Sequence, residues 1–362
     1  MRVSDLRQEA PVGTDMAQER AVVDAVLADF LAGKHDRHRD NPTVVMFVEL
    51  LRDFMAGGKR LRPLLCVCGW RAAGGRVPDV APRLANVAAS LELFHTFALI
   101  HDDVMDDSDT RRGKLTVQRV LAARHADHPR PGWFGTSGAI LLGDLALGWS
   151  YELVRAAELD AGQAARLWPV LDDMRAQTLS GQYLDLLATG HRNYTVEQAL
   201  AIARRKTAAY TVEYPLLVGA HLADADRGLL AACTAYSVAA GEAFQLCDDL
   251  LGVFGDPVVT GKPVTDDLRE GKATALLAIA WERADAGQRA RLNALVGNPA
   301  LDEDGVAEAA AILTATGARA AVEQMIDERC RRALDVLADG RLRSTATDML
   351  TYLVTDASRR SR

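Results

Sequence analysis

Residues 95–114, HTFALIHDDVMDDSDTRRGK, contain an apolar run that leads directly into a group of aspartates. On a helix, Asp102 and Asp106 lie about 6 Å apart along the axis and on nearly the same face. Carboxylates placed this close repel one another unless a cation lies between them. Hard cations such as Mg²⁺ prefer oxygen ligands of this kind. The segment therefore predicts a helix that carries a divalent metal site near its C-terminal end.

A second aspartate pair, Asp248 and Asp249, follows 142 residues after Asp106 and also comes after an apolar, helix-like run. Basic residues follow both clusters. Arg111 and Arg112, behind the first cluster, cannot be metal ligands but suit phosphate oxygens. One acidic cluster alone could be a solvated helix face. Two clusters with basic residues behind them favour a divided site that holds a polyanion through divalent metal.

A basic, glycine-containing loop, GGKRLRP at 57–63, precedes these clusters. Its glycines allow close approach of the backbone to a ligand, its lysine supplies a point charge and its arginines supply planar donor forks. His95, two turns before Asp102, returns to the same helix face after seven steps of about 100°. Taken alone, such loops occur in many proteins and such a histidine is more often structural. His101, rotated from His95 by roughly 120°, is interpreted as structural.

Composition and periodicity predict an all-α protein. Of the 362 residues, 49% are hydrophobic but only 6% are aromatic, a balance typical of helices rich in Ala, Leu and Val. Strand-like alternation with hairpin signals is absent. Gly33 is expected to end the first helix. Helical spacing covers 17–32, 43–56, 84–107, 161–188, 197–222, 228–254, 273–296, 305–337 and 343–357. Breaks are expected at 74–75, 128–138, 190–194, 255–263 and 297–304.

The chain reads as one large domain, because no linker or shift in composition divides residues 17–357. Residues 1–16 are expected to be disordered, and 358–362 form a basic tail. The net charge of −7 gives no general footprint for nucleic acid. No stretch reaches 18 uncharged apolar residues and the N-terminus lacks an apolar signal core, so a soluble cytoplasmic protein with no transmembrane segment is expected. The five cysteines are expected to be buried free thiols.

Six segments resemble, in the same order, the trans-isoprenyl diphosphate synthases, which are the polyprenyl synthetases. They are GGKRLRP (57–63), HTFALIHDDVMDDSDTRRGK (95–114), ILLGD (140–144), GQYLDL (181–186), KTAAYT (206–211) and FQLCDDLLGVFGDPVVTGKPVTDDLREGK (244–272). The chain is most similar to a bacterial geranylgeranyl diphosphate synthase. This resemblance implies a single large helical bundle of the isoprenoid synthase type with a central cavity, and a homodimer.

The resemblance also implies the reaction. The enzyme is expected to be a Mg²⁺-dependent prenyltransferase that condenses isopentenyl diphosphate with dimethylallyl, geranyl or farnesyl diphosphate. The allylic C–O bond breaks, the alkene of isopentenyl diphosphate attacks the allylic cation, and the released pyrophosphate takes the departing proton. Three Mg²⁺ ions are expected in each active site.

The family's functional positions carry over onto the matched motifs residue by residue. Isopentenyl diphosphate is assigned to Lys59, Arg62, His95 and Arg112. The allylic diphosphate is assigned to Arg111, Lys206, Thr207, Gln245, Lys262 and Lys272. Metal is assigned to Asp102, Asp106 and Asp248, with Asp103, Asp249, Asp185 and Gln182 around the metals. The expected catalytic residues are Asp102, Asp106, Asp248, Lys206 and Arg111.

The length of the product is expected to depend on apolar residues before Asp102. Phe97 and Ala98, five and four residues before it, match the family's chain-length positions. A bulky pair would stop the chain near C15, whereas one Phe beside Ala leaves room for a C20 product, geranylgeranyl diphosphate. Phe94 and Leu91 argue against C30 and above. Farnesyl diphosphate and longer polyprenyl diphosphates stay open as alternatives, and these residues can also serve simply as core.

The second cluster departs from the family pattern, because Gly252 stands where a third aspartate is common. Asp256, Asp266 or Asp267 could supply the missing negative charge, so we expect activity to be retained. Three other hypotheses are weaker. A terpene cyclase shares the fold and the first motif but lacks the GGKRLRP ligands. A non-catalytic regulatory subunit has only Gly252 in its favour, and an unrelated acidic scaffold leaves the motifs unexplained.

Overall fold

The computed structural model describes residues 12–75, 81–255, 266–342 and 344–360. In these ranges the chain is almost entirely helical, which confirms the all-α prediction, and the described strands form one antiparallel hairpin. The elements are α1 (Val12–Arg37), α2 (Pro42–Met55), α3 (Leu61–Ala72), α4 (Ala81–Met105), β1 (Thr110–Arg111), β2 (Lys114–Leu115), α5 (Val117–Arg124), α6 (Pro131–Ala156), α7 (Ala161–Ala188), α8 (Val196–Ala203), a π-helix (Arg204–Glu213), α9 (Tyr214–Leu222), α10 (Arg227–Phe254), α11 (Asp266–Glu270), α12 (Ala275–Arg283), α13 (Ala286–Leu295), α14 (Glu303–Ala315), α15 (Ala318–Ala338) and α16 (Ser344–Arg360).

Contacts between Cα atoms divide the chain into two compact units that alternate along the sequence. The first unit contains Ala10–Val67 and Gly75–Ala164. The second unit contains Cys68–Gly74 and Ala165–Arg362. The single domain expected for 17–357 stays a prediction.

Helix α4 forms the centre of the first unit, where it packs against α6, and α5 packs against α6 as well. The segment Pro82–Met105 of α4 is the one stretch of the described residues that is long and apolar enough to cross a membrane, with a mean hydropathy of 1.2. However, 72% of its apolar window is buried inside the protein. Such burial is typical of a core helix, so this segment is no clear membrane span. Its last turns carry Asp102 and Asp103.

Helix α10 has the corresponding place in the second unit, where it packs against α15, α16 and the π-helix. Tyr236 in its middle is fully buried, and its hydroxyl donates to the carbonyl oxygen of Leu350 at 2.8 Å. The carboxylate of Asp226 accepts a hydrogen bond from the amide of Leu229 and so caps the first turn. This cap fixes the start of α10, and Asp248 lies about six turns later.

The five cysteines are all buried and free, as predicted. Cys68 packs in the second unit with its Sγ atom 3.1 Å from the Sδ atom of Met349. Burial raises the pKa of Cys330 to about 11. A buried thiol with a raised pKa is a poor nucleophile and a poor metal ligand at neutral pH, so these residues serve as small core side chains.

Helix α1 is longer than the sequence predicts at both ends. It begins at Val12, inside the segment expected to be disordered, and residues 1–11 lie outside the described ranges. The prediction that Gly33 ends the helix is wrong. The next residue, Lys34, is buried, forms an ion pair with Glu152 and lies over two aromatic rings. These contacts offset the low helix propensity of glycine and keep the last turn helical.

Four helices, α3, α5, α6 and the short α11, and the short hairpin were not predicted. Helix α6 begins at Pro131, inside the break expected at 128–138. A proline is well suited to the first turn of a helix, because the amide hydrogen that it lacks would have no helical partner there. The start of α6 could have been read from this residue, but the glycines that follow it suggested a loop.

Two of the predicted long helices are each divided in two. Asp285 and Gln288 form a capping box that begins α13, so the predicted helix 273–296 is interrupted there. Gly317, with φ at +72°, separates α14 from α15 within the predicted helix 305–337. Helix α16 reaches Arg360, so the predicted basic tail is partly helical.

A π-helix, Arg204–Glu213, lies within the predicted helix 197–222. Pro215 follows it by two residues. Proline has no amide hydrogen and its ring clashes with the carbonyl four residues earlier, so regular α-helical bonding cannot run through this point. Gly181 of α7 packs against the backbone of the π-helix, and a Cβ atom at this glycine would lie 2.2 Å from the Lys206 amide nitrogen. The packing therefore depends on a glycine in α7.

Two glycine substitutions test how closely the helices approach. A Cβ atom at Gly69 would lie 1.9 Å from the carbonyl oxygen of Leu216, so Gly69→Ala should lower the free energy of unfolding by about 1–3 kcal/mol. Gly33 is exposed and a Cβ atom there would meet nothing within 4 Å, so Gly33→Ala should raise stability by up to about 1 kcal/mol. Urea titrations followed by circular dichroism measure both, and equal effects would contradict the packing described.

Candidate active site

The loop that joins α2 to α3 is held by a buried arginine. Arg60, with φ at +54°, donates from Nε to Asp24 at 2.6 Å and from Nη1 to Glu92 at 2.9 Å. A Cβ atom at Gly58 would lie 2.5 Å from the Nη1 atom of Arg60. Gly58 and Arg60 therefore set the shape of the loop. The residues of this loop that were predicted to bind ligand are Lys59, which is exposed, and Arg62, which is buried in the first turn of α3.

His95 lies in a strongly positive environment. Burial, and then the positive charges of Arg62, Arg112, Arg111 and Arg60 in that order, lower the pKa of His95 well below its usual value. The imidazole is therefore neutral at neutral pH and acts as a hydrogen-bonding group. Three residues predicted to bind one diphosphate, Arg62, His95 and Arg112, thus lie near one another in the first unit. Neighbouring guanidinium groups around a neutral donor suit a multiply charged anion.

The first aspartate cluster is partly neutralised from within the chain. Asp103 is 1% exposed, and the Nε atom of Arg111 lies 2.8 and 2.9 Å from its two carboxylate oxygens. A further nitrogen of Arg111 lies 3.5 Å from Asp102. This fork-shaped pairing fixes Arg111 beside the cluster and gives Asp103 a supporting part. Asp102 and Asp106 are both half-buried, and their role as metal ligands stays a prediction.

The unpredicted hairpin positions the two arginines. Arg112 and Gly113 form its corner with φ at +53° and +73°, which matches a two-residue type I′ turn. The side-chain amide of Gln118 donates to the carbonyl oxygens of Asp103 and Ser108 at 2.8 and 2.9 Å. These bonds tie the turn to the end of α4. The backbone of Arg111 and Arg112 is therefore fixed at the tight turn of this hairpin.

The predicted chain-length residues lie on α4, before Asp102. Leu91, Phe94 and Phe97 are buried, while Ala98 is half-buried. The rings of Phe94 and Phe97 are 5.5 Å apart, and the ring of Phe97 meets that of His101 at 4.8 Å. His101 also lies with Nε2 3.2 Å from a backbone carbonyl oxygen, in keeping with its structural interpretation. These four residues form what we call the apolar wall of α4, and Phe97 is held in it by contacts with Phe94 and His101.

In the second unit, Lys206 and Thr207 lie in the π-helix. The Nζ atom of Lys206 lies 2.6 Å from the Asp185 carboxylate on α7. Gly181 makes this approach possible, because any side chain there would collide with the Lys206 backbone. On α7, next to Gly181, the side-chain Nε2 atom of Gln182 is buried and has no hydrogen-bond partner among the described residues. Segments of π-helix are frequent at functional sites.

Burial and neighbouring carboxylates act on the second aspartate cluster. Burial raises the pKa of Asp249 to about 7; the charges of Asp267 and Asp248 add to the rise, while a hydrogen bond from Gln245 at 2.9 Å and the charge of Lys272 oppose it. The side-chain oxygen of Gln245 is buried without a hydrogen-bond partner in the described ranges. Carboxylate and amide oxygens are the type of donor that a hard divalent cation prefers, but no three His, Cys, Asp or Glu side chains in the described ranges are grouped so that they could hold a metal ion by themselves.

The predicted residue Lys272 connects this cluster to Asp267, which sequence reasoning left open, and to Glu270 and Tyr194, which it missed. Lys272 lies 2.8 Å from Glu270 and 3.6 Å from Asp267. The hydroxyl of Tyr194 lies 3.5 Å from the Lys272 carbonyl oxygen, and burial, with the charges of Asp249 and Asp185, raises its pKa. No sequence pattern marks Tyr194. Lys262 and Asp256 lie outside the described residues.

Comparisons with known proteins show the family to which this chain belongs. The polyprenyl synthetase family model matches residues 44–313. The chain is 36% identical over 307 residues to a geranylfarnesyl diphosphate synthase of Aeropyrum pernix, covering 83% of this chain and 90% of that protein. It is also 36% identical over 301 residues to a geranylgeranyl diphosphate synthase of Mycobacterium tuberculosis, covering 83% and 80%.

A solved structure is similar over nearly the whole length. It is a geranylgeranyl pyrophosphate synthase of Corynebacterium glutamicum, complexed with isoprenyl diphosphate and magnesium. The TM-score is 0.90 and the identity 39%, and the match covers 94% of this chain and 98% of that one.

Proposed function

Because this chain belongs to the polyprenyl synthetase family and is a prenyltransferase, we propose that it condenses isopentenyl diphosphate with an allylic diphosphate to give geranylgeranyl diphosphate. The observation that carries this proposal is the set of guanidinium groups around neutral His95 in the first unit. Carboxylates of the protein pair with Arg60 and Arg111, and a bound diphosphate would offset further positive charge of this set. Of its members, Arg62 and Arg112 match positions that the family resemblance assigns to isopentenyl diphosphate, and Arg111 matches one that it assigns to the allylic diphosphate.

We assign isopentenyl diphosphate to Lys59, Arg62, His95 and Arg112. Lys59 is exposed on the loop and can supply a point charge, whereas Arg62 and Arg112 can each offer two parallel donors. His95 stays neutral and adds a directed hydrogen bond without further charge repulsion. The buried pairing of Arg60 with Asp24 and Glu92 holds the loop in place for these contacts.

We assign the allylic diphosphate and three Mg²⁺ ions to the aspartate clusters and to the basic residues beside them. The proposed metal ligands are Asp102, Asp106 and Asp248, with Asp103, Asp249, Asp185 and Gln182 in support. The proposed diphosphate contacts are Arg111, Lys206, Thr207, Gln245, Lys262 and Lys272. Bound Mg²⁺ supplies Lewis-acid and templating chemistry at the leaving diphosphate.

The residues of the chain have separate tasks in the proposed reaction. As the allylic C–O bond breaks, negative charge grows on the pyrophosphate, and the fixed positive charges of Arg111 and Lys206 stabilise it. The alkene of isopentenyl diphosphate then attacks the allylic cation. The released pyrophosphate takes the departing proton, so no side chain of the protein needs to act as base.

The C20 product is proposed from the wall on α4. Phe97 is fixed by contacts with Phe94 and His101, so it cannot turn aside for a longer chain, while Ala98 leaves space beside it. The similar proteins include geranylgeranyl and geranylfarnesyl diphosphate synthases, which supports a product near this length. Farnesyl diphosphate is the alternative if Phe97 alone closes the wall.

A homodimer is proposed from an exposed apolar stripe on α7. Leu179, Tyr183, Leu186 and Leu187 are each 44–63% exposed and recur at helical spacing. Exposed apolar side chains that form one stripe mark an interaction surface. A second copy of this chain is the proposed occupant, because the family resemblance implies a homodimer.

A cytoplasmic location is proposed because the apolar helix α4 is buried in the core of its unit and both substrates are charged, water-soluble diphosphates. Cell fractionation tests this point. The protein is expected in the soluble fraction, and recovery with washed membranes would contradict it.

The reaction can be tested with purified protein, Mg²⁺, labelled isopentenyl diphosphate and each allylic primer. We expect geranylgeranyl diphosphate as the main product and complete loss of product with a chelator, restored by Mg²⁺. Asp102→Ala and Asp106→Ala should each lower turnover by orders of magnitude with little change in circular dichroism. If wild-type protein forms no prenyl product from any primer, the proposed function is wrong.

The two diphosphate assignments can be separated by kinetics. Arg62→Ala should raise the KM for isopentenyl diphosphate roughly ten- to hundredfold, because a charged hydrogen bond is worth about 1.5–3 kcal/mol. Lys206→Ala should chiefly raise the KM for the allylic substrate or lower kcat. Arg52→Ala, an exposed arginine in the last turn of α2, is the control for loss of a positive charge and should leave both KM values unchanged. One KM affected by both Arg62→Ala and Lys206→Ala would contradict two separate sites.

Product length can be tested on α4. Ala98→Phe should fill the space beside Phe97 and shift the main product toward C15, because a packed wall cannot absorb several extra methylenes without a cost of about 1–3 kcal/mol. Phe97→Ala should let products pass C20. Thin-layer chromatography of the dephosphorylated products measures both, and unchanged lengths at normal turnover would place the limiting wall elsewhere.

The dimer can be tested by charge insertion. Tyr183→Glu combined with Leu187→Glu should shift the mass measured by light scattering from two chains to one. Tyr352→Glu, at an exposed aromatic on α16, is the matched control and should leave the mass unchanged. A wild-type protein that is monomeric at micromolar concentration would overturn the proposal.

A further inference from the structure

The loop that leads into α8 holds the backbone around Lys272 at two places. The amide of Gly190 donates to the carbonyl oxygen of Gly271 at 3.2 Å. The hydroxyl of Tyr194 lies 3.5 Å from the carbonyl oxygen of Lys272 and also forms a hydrogen bond with the backbone of Thr274. The chain before Lys272 and the chain after it are therefore tied to the same loop.

Close packing of glycines fixes the chain before Lys272. A Cβ atom at Gly271 would lie 3.2 Å from the Cα atom of Gly297 and 3.7 Å from that of Gly190. The amide of Gly297 in turn donates to the carbonyl oxygen of Leu268 at 2.8 Å. Three separate segments of the second unit thus meet backbone to backbone. On the other side of Lys272, the contact from this loop is the hydroxyl of Tyr194.

Tyr194 is itself held from two directions. Its ring meets the indole of Trp281 edge to face, with ring centroids 5.9 Å apart and planes at 89°. The next residue, Thr195, forms a capping box with Gln198 that begins α8. Burial, the largest effect, raises the pKa of Tyr194, so its hydroxyl keeps its proton at neutral pH and can donate to a carbonyl oxygen.

A packing role for Tyr194 explains its ring but not the surroundings of its hydroxyl. A phenylalanine would make the same edge contact with Trp281, and a tyrosine hydroxyl that is buried for packing needs only one partner. This hydroxyl has two backbone partners on the segment that begins at Lys272. The charges of Asp249 and Asp185 also act on it, so it lies near the groups proposed to surround the allylic diphosphate.

We propose that Tyr194 is a positioning residue for the ionisation of the allylic diphosphate, because its hydroxyl holds the Lys272 backbone so that the ammonium group stays near the second aspartate cluster. This inference rests on the proposed function, in which Lys272 contacts that diphosphate. The Nζ atom of Lys272 lies 2.8 Å from Glu270 and 3.6 Å from Asp267, so its charge is shared between two carboxylates. A positive charge that is already in place stabilises the leaving group without further reorganisation.

Tyr194→Phe tests the proposal, because it removes the hydroxyl and keeps the ring. The single-turnover rate of condensation should fall roughly two- to tenfold, the effect expected for the loss of one neutral hydrogen bond, while the KM for isopentenyl diphosphate stays unchanged. Tyr236→Phe is the matched control, since its hydroxyl also donates to a backbone carbonyl in the second unit. It should lower thermal stability and leave the rate unchanged. An unchanged rate in Tyr194→Phe, or an equal fall in both variants, would overturn the proposal.

A double-mutant cycle tests whether the hydroxyl acts through Lys272. In a Lys272→Met background, Tyr194→Phe should cost nothing further, because the charged group that it positions is gone. In a Lys206→Ala background, it should lower the rate by the same factor as in the otherwise wild-type protein. Additive effects with Lys272→Met would indicate a general disturbance of the site and would contradict a positioning role.

Binding of inorganic pyrophosphate with Mg²⁺, measured by calorimetry, is a second readout that needs no turnover. Tyr194→Phe should weaken this binding roughly two- to tenfold, and in the Lys272→Met background it should have no effect. Circular dichroism and thermal unfolding check that each variant is folded. Equal weakening in both backgrounds would show that the hydroxyl does not act through the Lys272 ammonium group.

These outcomes are separate from those that test the proposed function. If wild-type protein forms prenyl diphosphates and Tyr194→Phe does so at the same rate, only the role of Tyr194 is wrong. If wild-type protein forms no prenyl product from any primer and does not bind pyrophosphate with Mg²⁺, the proposed function itself fails.

Discussion

Repulsion between like charges is the constraint on which both units depend. The groups around His95 are mainly positive and those around Asp249 mainly negative, and neither arrangement is favourable by itself. Internal ion pairs at Arg60, Arg111 and Lys206 absorb part of this charge. In the proposed function, a bound diphosphate offsets the remaining positive charge at the first place and divalent cations offset the remaining negative charge at the second.

Missing Cβ atoms are the means by which these charges are placed. Gly58 leaves space for the guanidinium of Arg60, Gly181 for the backbone of Lys206, and Gly252 for the carboxylate of Asp267. In each case a charged residue, or the backbone that carries it, fills the volume of an absent side chain. The catalytic role of a charged residue and the steric role of a glycine elsewhere in the chain are therefore two sides of one arrangement. A change at either partner is expected to disturb both.

The sequence predicts the fold wherever one helix has a long, regular apolar face. The helix predicted at 161–188 agrees with α7, and the one at 228–254 agrees with α10 within one residue. Prediction from apolar periodicity fails where contacts between residues far apart in the sequence determine the local structure. The glycines of α6 read as a loop, since their close contacts with other helices are invisible in the chain.

The candidate site likewise has a part that the sequence predicts and a part that it does not. The residues named in it come from local motifs, which short segments display fully. Their partners do not: the pairing of Arg60 with Glu92, the approach of Tyr194 to Lys272 and the entry of Asp267 beside Gly252 each join segments that are far apart or unremarkable in sequence. Sequence patterns thus identify which side chains carry charge, and the fold decides which of those charges are balanced.

The π-helix at Arg204–Glu213 has a consequence for the comparison of this chain with its relatives. Each residue of a π-helix turns through less than the roughly 100° of an α-helix, so the rotational phase of the chain shifts progressively between α8 and α9. A helical wheel drawn with a constant step through residues 197–222 therefore has an angular error that begins at Arg204, grows along the π-helix and applies in full to the residues after Glu213. Inserting or deleting one residue in this stretch rotates the residues that follow about the helix axis by the turn of one residue. A gap in an alignment with a relative at this place therefore corresponds to a rotation of α9 about its axis.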